Sequence, residues 1–352
     1  MIKKVLDDEK VKKVGIYILK GEHFVITVHR SPDGDAIGSA LALHRYLKIR
    51  GKNDIKVILP NDAPSFLKWM PGMEDVLVYE HSADTSDQLI KEADVIFCLD
   101  YNEPKRVGDM SESLLASPAR KVMLDHHLNP DDFCKVTISH SEMSSTSELM
   151  FRLICALGDF ELMDADCATC IYTGMMTDTG SFTYNSSDPE LYIIIYELMR
   201  KGIDKDYIYK QVNQVYSLSR YRLMGFLLHE KMQVFPALHA ALITMSAEEA
   251  KKFNFRTGDS EGFVNIPLNI KGIEFSVFLR EDRDKVKVSL RSVGDFPCNT
   301  FAATYFNGGG HKNASGGEFS GSLKSAIEYY KRGVGLLNPL TYTQNNNNTQ
   351  NE

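Results

Sequence analysis

No apolar run in this 352-residue chain approaches the ~20 residues that a membrane-spanning helix needs. The first ten residues, Met1 to Lys10, are charged and lack the apolar core of a secretory signal. These two absences lead us to expect a cytoplasmic protein with no membrane partner. An excess of positive charge is missing too: 40 Lys and Arg stand against 47 Asp and Glu, a formal net charge of −7. Phosphate neutralisation supplies most non-specific affinity for duplexes, so a general duplex-binding surface is disfavoured. A short anionic substrate, held by metals and a local basic patch, is not. Cysteine is sparse. Cys98, Cys134, Cys155, Cys167, Cys170 and Cys298 are scattered through apolar or helical contexts, unlike a disulfide framework. Cys167 and Cys170 make one C-x-x-C without a second pair; structural zinc needs four ligands, so a packed helix explains them better.

What is present is an ordinary globular composition, 43% hydrophobic and 25% charged, on a chain long enough for two cores. The first 200 residues alternate short apolar runs with helical patterns, the signature of a parallel α/β sheet. Strands are expected at His23–Val28, Ile55–Leu59, Val95–Leu99 and Val122–Leu124, with helices over 37–50, 145–157, 164–176 and 189–201. From Ile203 to Phe235 the pattern is helical, with no strand signal. Beyond Pro236 it turns to two-residue alternation over 239–245, 273–280 and 286–291, with helical stretches at 247–253 and 299–306. We therefore expect an α/β fold: a parallel-sheet N-terminal domain on 1–202, a helical connector on 203–235, and a smaller α+β domain on 236–335. Residues 336–352 are polar and low in complexity and are expected to be a disordered tail.

Three of the apolar runs end in carboxylates and imidazoles. His29-Arg30-Ser31-Pro32-Asp33-Gly34-Asp35 closes the first, Asp100 the third and Asp125-His126-His127 the fourth. The carboxyl ends of parallel strands are where ligands bind in such sheets. Gly34 is read as a tight turn that lets Asp33 and Asp35 point into one space; the competing reading makes Asp35 the N-cap of the next helix. Asp100 alone could be a turn residue, and Asp178 could merely end its helix. Together, Asp33, Asp35, Asp100 and Asp178 bring four negative charges, which two divalent cations would neutralise. Without metal, a carboxylate pair ~4 Å apart would repel by ~4 kcal/mol at an effective dielectric near 20. Asp and His are also the donors that suit two cations poised for phosphoester hydrolysis.

His29-x3-Asp33-x-Asp35, Asp100, Asp125-His126-His127 and Asp178 resemble, in order, the four motifs of the DHH phosphoesterase superfamily. Asn307-Gly308-Gly309-Gly310-His311-Lys312-Asn313-Ala314-Ser315-Gly316-Gly317 resembles the glycine-rich motif of the DHH-associated C-terminal domain. Glu261 to Asn265 and Val288 to Ser292 resemble that domain as it occurs in nanoRNase/pAp phosphatases. Asn307 stands where a further glycine is common. The similarity covers residues 20–335.

The resemblance implies that one metal takes His29, Asp33 and Asp100 and the other Asp35, Asp100, His126 and Asp178, so that Asp100 bridges. His127 would face the scissile phosphate, and Asp125 would orient the neighbouring histidine. Arg291, Gly308, Gly309, Gly310 and His311 would grip a phosphate or nucleotide. The implied activity is hydrolysis of short oligoribonucleotides of about two to five residues to mononucleotides, and of pAp to AMP, by two-metal in-line attack of hydroxide. Carboxylate–imidazole ligation suits Mn²⁺, with Mg²⁺ or Co²⁺ as substitutes. The rivals are a cyclic or linear dinucleotide phosphodiesterase (c-di-AMP or pApA), a pyrophosphatase or exopolyphosphatase, and a nucleotide sensor without catalysis. A homodimer is compatible with all of these.

Overall fold

A computed structural model of the chain describes residues 3–256, 258–282 and 285–336, without the side chain of 336. The expected disordered tail thus falls almost entirely outside the described residues. Two compact units divide after Val215.

The first unit runs α1 (Asp8–Lys20), β1 (His23–Val28), α2 (Gly34–Ile49), β2 (Asp54–Leu59), β3 (Leu77–Val78), α3 (Ala83–Glu92), β4 (Val95–Leu99), α4 (Ser111–Ala116), β5 (Arg120–Asp125), β6 (Val136–Ser139), α5 (Thr146–Ala156), α6 (Ala165–Asp178), α7 (Pro189–Arg200) and α8 (Lys205–Asn213). Its six strands lie in the order β3-β2-β1-β4-β5-β6, and every pairing is parallel. β1, β4 and β5 are buried almost end to end, as strands covered on both faces must be. One face packs on Ile37, Leu41, Leu149 and Ile171, the other on Ile90, Val107, Met110 and Leu114. The strand order reverses between β1 and β4. There the connecting segments diverge to opposite sides and leave a crevice at the carboxyl ends, which is where His29 and Asp100 follow their strands.

The second unit contains α9 (Leu218–Phe226), β7 (Gln233–Phe235), β8 (Ala240–Met245), α10 (Ala247–Lys252), β9 (Phe275–Asp282), β10 (Lys285–Ser292), α11 (Cys298–Tyr305), β11 (Gly309–His311), β12 (Ala314–Phe319) and α12 (Leu323–Leu336). Its sheet has the order β11-β12-β10-β9-β8-β7, antiparallel except for β8 beside β9. Val286, Val288 and Leu290 alternate inward toward Phe301 and Tyr330.

Sequence and structure part company in several places. Residues 203–235 do not form a single helical connector. Ile208 and Val212 of α8 pack in the first core, Leu223 of α9 packs in the second unit, and β7 pairs with β8. A three-residue edge strand is too short to show alternation. Next, α2 begins at Gly34 rather than near Ile37, because Asp33 caps it by accepting from the Asp35 and Ala36 amides at 3.0 Å each. Finally, Gly34 makes no turn. It lies inside the helix, and a Cβ there would sit 2.2 Å from Thr177 Oγ1 on α6. Glycine is needed for helix approach, not for a turn.

Candidate metal centre

The donors come from the ends of β1, β4 and β5 and from α2 and α6. His29 follows β1, Asp33 caps α2 and Asp35 lies in its first turn. Asp100 follows β4 in the left-handed region at φ 63°, a conformation that Asp tolerates better than most residues. Its amide is held by the Leu124 carbonyl at 3.0 Å. His126 and His127 follow β5, and Asp178 is the last residue of α6. Asp35, Asp100 and Asp125 are 1%, 2% and 0% exposed.

The distances define two groups that share Asp100. His29 Nε2 lies 3.8 Å from Asp33 Oδ2 and 3.4 Å from Asp100 Oδ2. His126 Nε2 lies 3.8 Å from Asp35 Oδ2, 3.6 Å from Asp100 Oδ1 and 3.5 Å from Asp178 Oδ2. The donor atoms of His29, Asp33 and Asp100, and likewise of Asp35, Asp100 and His126, fall within 4.8 Å of one another. Donors bound at ~2.1 Å to one ion stand about 3–4 Å apart, so the spacing suits a cation better than direct hydrogen bonds.

The imidazole orientations agree. His29 Nδ1 lies 2.9 Å from the Arg30 carbonyl and His126 Nδ1 3.3 Å from the Met143 carbonyl. A carbonyl can only accept, so Nδ1 carries the proton and Nε2 turns its lone pair toward carboxylates. That arrangement is repulsive unless a cation or a proton sits between them. His127 is set differently. Asp125 Oδ1 takes its Nδ1 proton at 2.7 Å, while Asp125 Oδ2 accepts its backbone amide at 3.1 Å.

The charges are strongly coupled. Burial opposes protonation of His126, but Asp178, Asp100, Asp35 and Asp125 outweigh it and push its pKa up to about 9. Burial likewise opposes the charge of His29, and the Asp100 hydrogen bond with the charges of Asp33 and Asp100 raises it. Burial and the charges of Asp100 and Asp178 hold Asp35 well above the usual carboxylate range. Burial acts the same way on Asp100, yet the His29 hydrogen bond and the neighbouring imidazoles bring it well below that range. A cation would take the place of these protons.

The N-terminus of α5 organises this cluster, and the sequence reading passed over it. Asp35 accepts from the Thr146 and Ser147 amides at 2.7 and 2.8 Å, and Thr146 Oγ1 donates to Asp100 at 2.9 Å. Free amides and the helix dipole make such an end favourable for carboxylate. The signal was the run Ser144-Ser145-Thr146-Ser147 before an apolar helix. Arg106 was missed as well; its Nη2 lies 3.4 Å from His127 Nε2. Cys167 and Cys170 are buried in α6, their thiols 3.4 and 3.7 Å from the carbonyls of Ala42 and Pro71.

In the second unit the glycine run is an edge strand. A Cβ on Gly308 would lie 2.0 Å from the Gly316 carbonyl, and Gly310, at φ 134°, would bring one to 2.7 Å from the Ala314 carbonyl. Strand pairing accounts for both, whereas the Gly309 position faces open space. Asn307 adopts φ 45°, which Asn and Gly both accept. Arg291 lies one residue before the end of β10, its Nη1 on the Leu290 carbonyl at 2.9 Å. His311 closes β11 and is half-buried.

The family model "DHH family, N-terminal domain" matches residues 23–175 and "DHHA1 domain" matches 237–332. The chain is similar to the bifunctional oligoribonuclease and PAP phosphatase NrnA of Thermus thermophilus, at 32% identity over 86% of each chain. The Bacillus subtilis protein of the same name is 25% identical over 88% of this chain and 91% of its own. A crystal structure of an exopolyphosphatase-related protein from Bacteroides fragilis superposes with a TM-score of 0.92 at 53% identity, covering 96% of this chain and 99% of that one.

Proposed function

This chain belongs to the DHH family, and on that premise we propose a divalent-metal-dependent phosphoesterase that hydrolyses short oligoribonucleotides to mononucleotides and pAp to AMP. The observation that carries the metal reading is the pair of donor groups sharing Asp100, with two imidazole lone pairs facing carboxylates. The substrate class is supported by two relatives that cover nearly the whole chain and bear the oligoribonuclease and PAP phosphatase name. His29, Asp33 and Asp100 would hold one ion, and Asp35, Asp100, His126 and Asp178 the other, Mn²⁺ being the best match to carboxylate and imidazole. Two such ions would supply an acidified water and polarise the phosphoryl oxygens.

The residues of the chain do the rest. Asp125 keeps the His127 proton on Nδ1, so Nε2 is the atom able to exchange a proton at the reacting phosphate. Thr146 and Ser147 hold Asp100 and Asp35 in place. Arg291, His311 and the open backbone at Gly309 would bind a phosphate or nucleotide group.

Incubation of the full chain and Mn²⁺ with pAp, di- to pentaribonucleotides, cyclic di-AMP and pyrophosphate tests this, with products separated by chromatography. AMP from pAp and mononucleotides from the short RNAs are expected. Phosphate released from pyrophosphate, with the nucleotides untouched, would favour the pyrophosphatase alternative. Turnover confined to cyclic di-AMP would move the protein to the cyclic dinucleotide phosphodiesterases.

A further inference from the structure

Arg106 stands beside His127. It lies in the 3-10 segment Pro104–Met110 that follows β4. Its amide bonds the Glu103 carbonyl at 3.1 Å, and its carbonyl takes the Arg30 amide at 2.7 Å. That second bond ties the segment to the loop carrying His29 and Asp33. Gly108 adopts φ 62°, a conformation that glycine takes without strain. Arg30 pairs with Glu80 and Arg45 with Asp164. Among the described residues, the Arg106 guanidinium has no carboxylate partner; its contact is His127 Nε2 at 3.4 Å.

This contact is a weak one. His127 Nδ1 is directed at Asp125, Nε2 is the atom facing the guanidinium, and 3.4 Å is long for such a bond. Phosphate oxygens offer the guanidinium two shorter, charge-assisted bonds in its own plane. The balance of charge favours the exchange. Asp33, Asp35, Asp100 and Asp178 offset two divalent cations, so the reacting phosphoryl group arrives with its own charge uncompensated. That charge is about −1.5 to −2 for a monoester at neutral pH and about −1 for a diester.

Building on the phosphoesterase reading above, we propose that Arg106 is a catalytic residue that binds the non-bridging oxygens of the reacting phosphoryl group and favours phosphomonoesters over phosphodiesters. Binding of substrate transfers the guanidinium from His127 Nε2 to phosphate.

The test compares Arg106→Gln and Arg106→Lys with the parent as Mn²⁺-loaded full chain. The substrates are p-nitrophenyl phosphate and bis(p-nitrophenyl) phosphate, run beside pAp and a diribonucleotide. Arg106→Gln should lower kcat/KM by roughly a hundredfold or more on monoesters and roughly tenfold on diesters, with partial recovery in Arg106→Lys. Mn²⁺ affinity by calorimetry should stay within about threefold, because Arg106 is not among the donors. Equal losses on both ester classes, or Mn²⁺ affinity falling in step with activity, would overturn the proposal and leave Arg106 as a prop for His127. Losses below about threefold on both classes would overturn it as well. A parent that cleaves the chromogenic esters but no nucleotide would sink the nucleotide reading while leaving the Arg106 comparison intact.

Discussion

Asp100 serves both proposed ions and does so from a backbone conformation open to few residues, φ 63°. Its carboxylate meets His29, His126 and Thr146 at 3.4, 3.6 and 2.9 Å. Replacing it with Ala would mix loss of ligation with strain, whereas Asn accepts the same φ. Asp100→Asn should therefore fold normally by circular dichroism and lose about a thousandfold or more in kcat with Mn²⁺, ~4 kcal/mol of transition-state stabilisation. Activity within about tenfold of the parent would remove Asp100 from the shared position. A second residue acts on stability. His44 is buried on α2, and burial, helped by the charge of Lys48, lowers its pKa to about 4. The unfolded chain takes up this proton near 6.5 and the folded chain only near 4. Stability is thus lost as pH falls between those values and is retained above them. Urea unfolding should show the parent losing on the order of 1 kcal/mol more than His44→Gln between pH 7 and pH 5. Parallel pH profiles would show that His44 titrates alike in both states.

At the scale of elements, α2 and α6 pack with almost no side chain between them. A Cβ on Gly38 would stand 2.6 Å from the Cys170 carbonyl and 2.9 Å from the Gly174 amide nitrogen. Both are backbone atoms, so the helices themselves must move. A Cβ on Gly174 would meet Ser147 Oγ at 1.9 Å and Asp35 Oδ1 at 2.9 Å. This close approach holds Asp35, near the start of α2, to Asp178 at the end of α6 across His126. Gly38→Ala should cost roughly 1–3 kcal/mol in urea unfolding, the usual range for overpacking, and weaken Mn²⁺ binding, although residue 38 is no ligand. Unchanged Mn²⁺ affinity in a destabilised variant would mean that the donors tolerate a wider helix spacing.

At the scale of the whole molecule the deciding quantity is charge. A long RNA needs many phosphate contacts, and their number sets both affinity and salt dependence. A chain with a net charge of −7 is poorly equipped to provide them away from the donor cluster. The expected outcome is that kcat/KM falls steeply between about five and ten nucleotides. Equal rates on a 5-mer and a 24-mer RNA, at matched salt and Mn²⁺, would contradict the short-substrate reading.

The sequence by itself determined the parallel α/β character of the first unit, because β1, β4 and β5 are buried almost end to end and must read as continuous apolar runs. It also determined which residues could act as donors, since carboxylates and imidazoles placed directly after such strands have few structural uses. Periodicity could not register short or glycine-containing strands, which is why β7, β11 and β12 (Ala-Ser-Gly-Gly-Glu-Phe) were invisible. Tertiary structure alone decided three further matters. Gly34 and Gly38 owe their identity to another helix, 140 or so positions away. The carboxylates of Asp35 and Asp100 are aimed by the N-terminus of α5, a long-range contact that leaves no mark in either motif. Arg106 reaches His127 only because β4 and β5 lie side by side, and no local pattern in a single chain encodes which strands become neighbours.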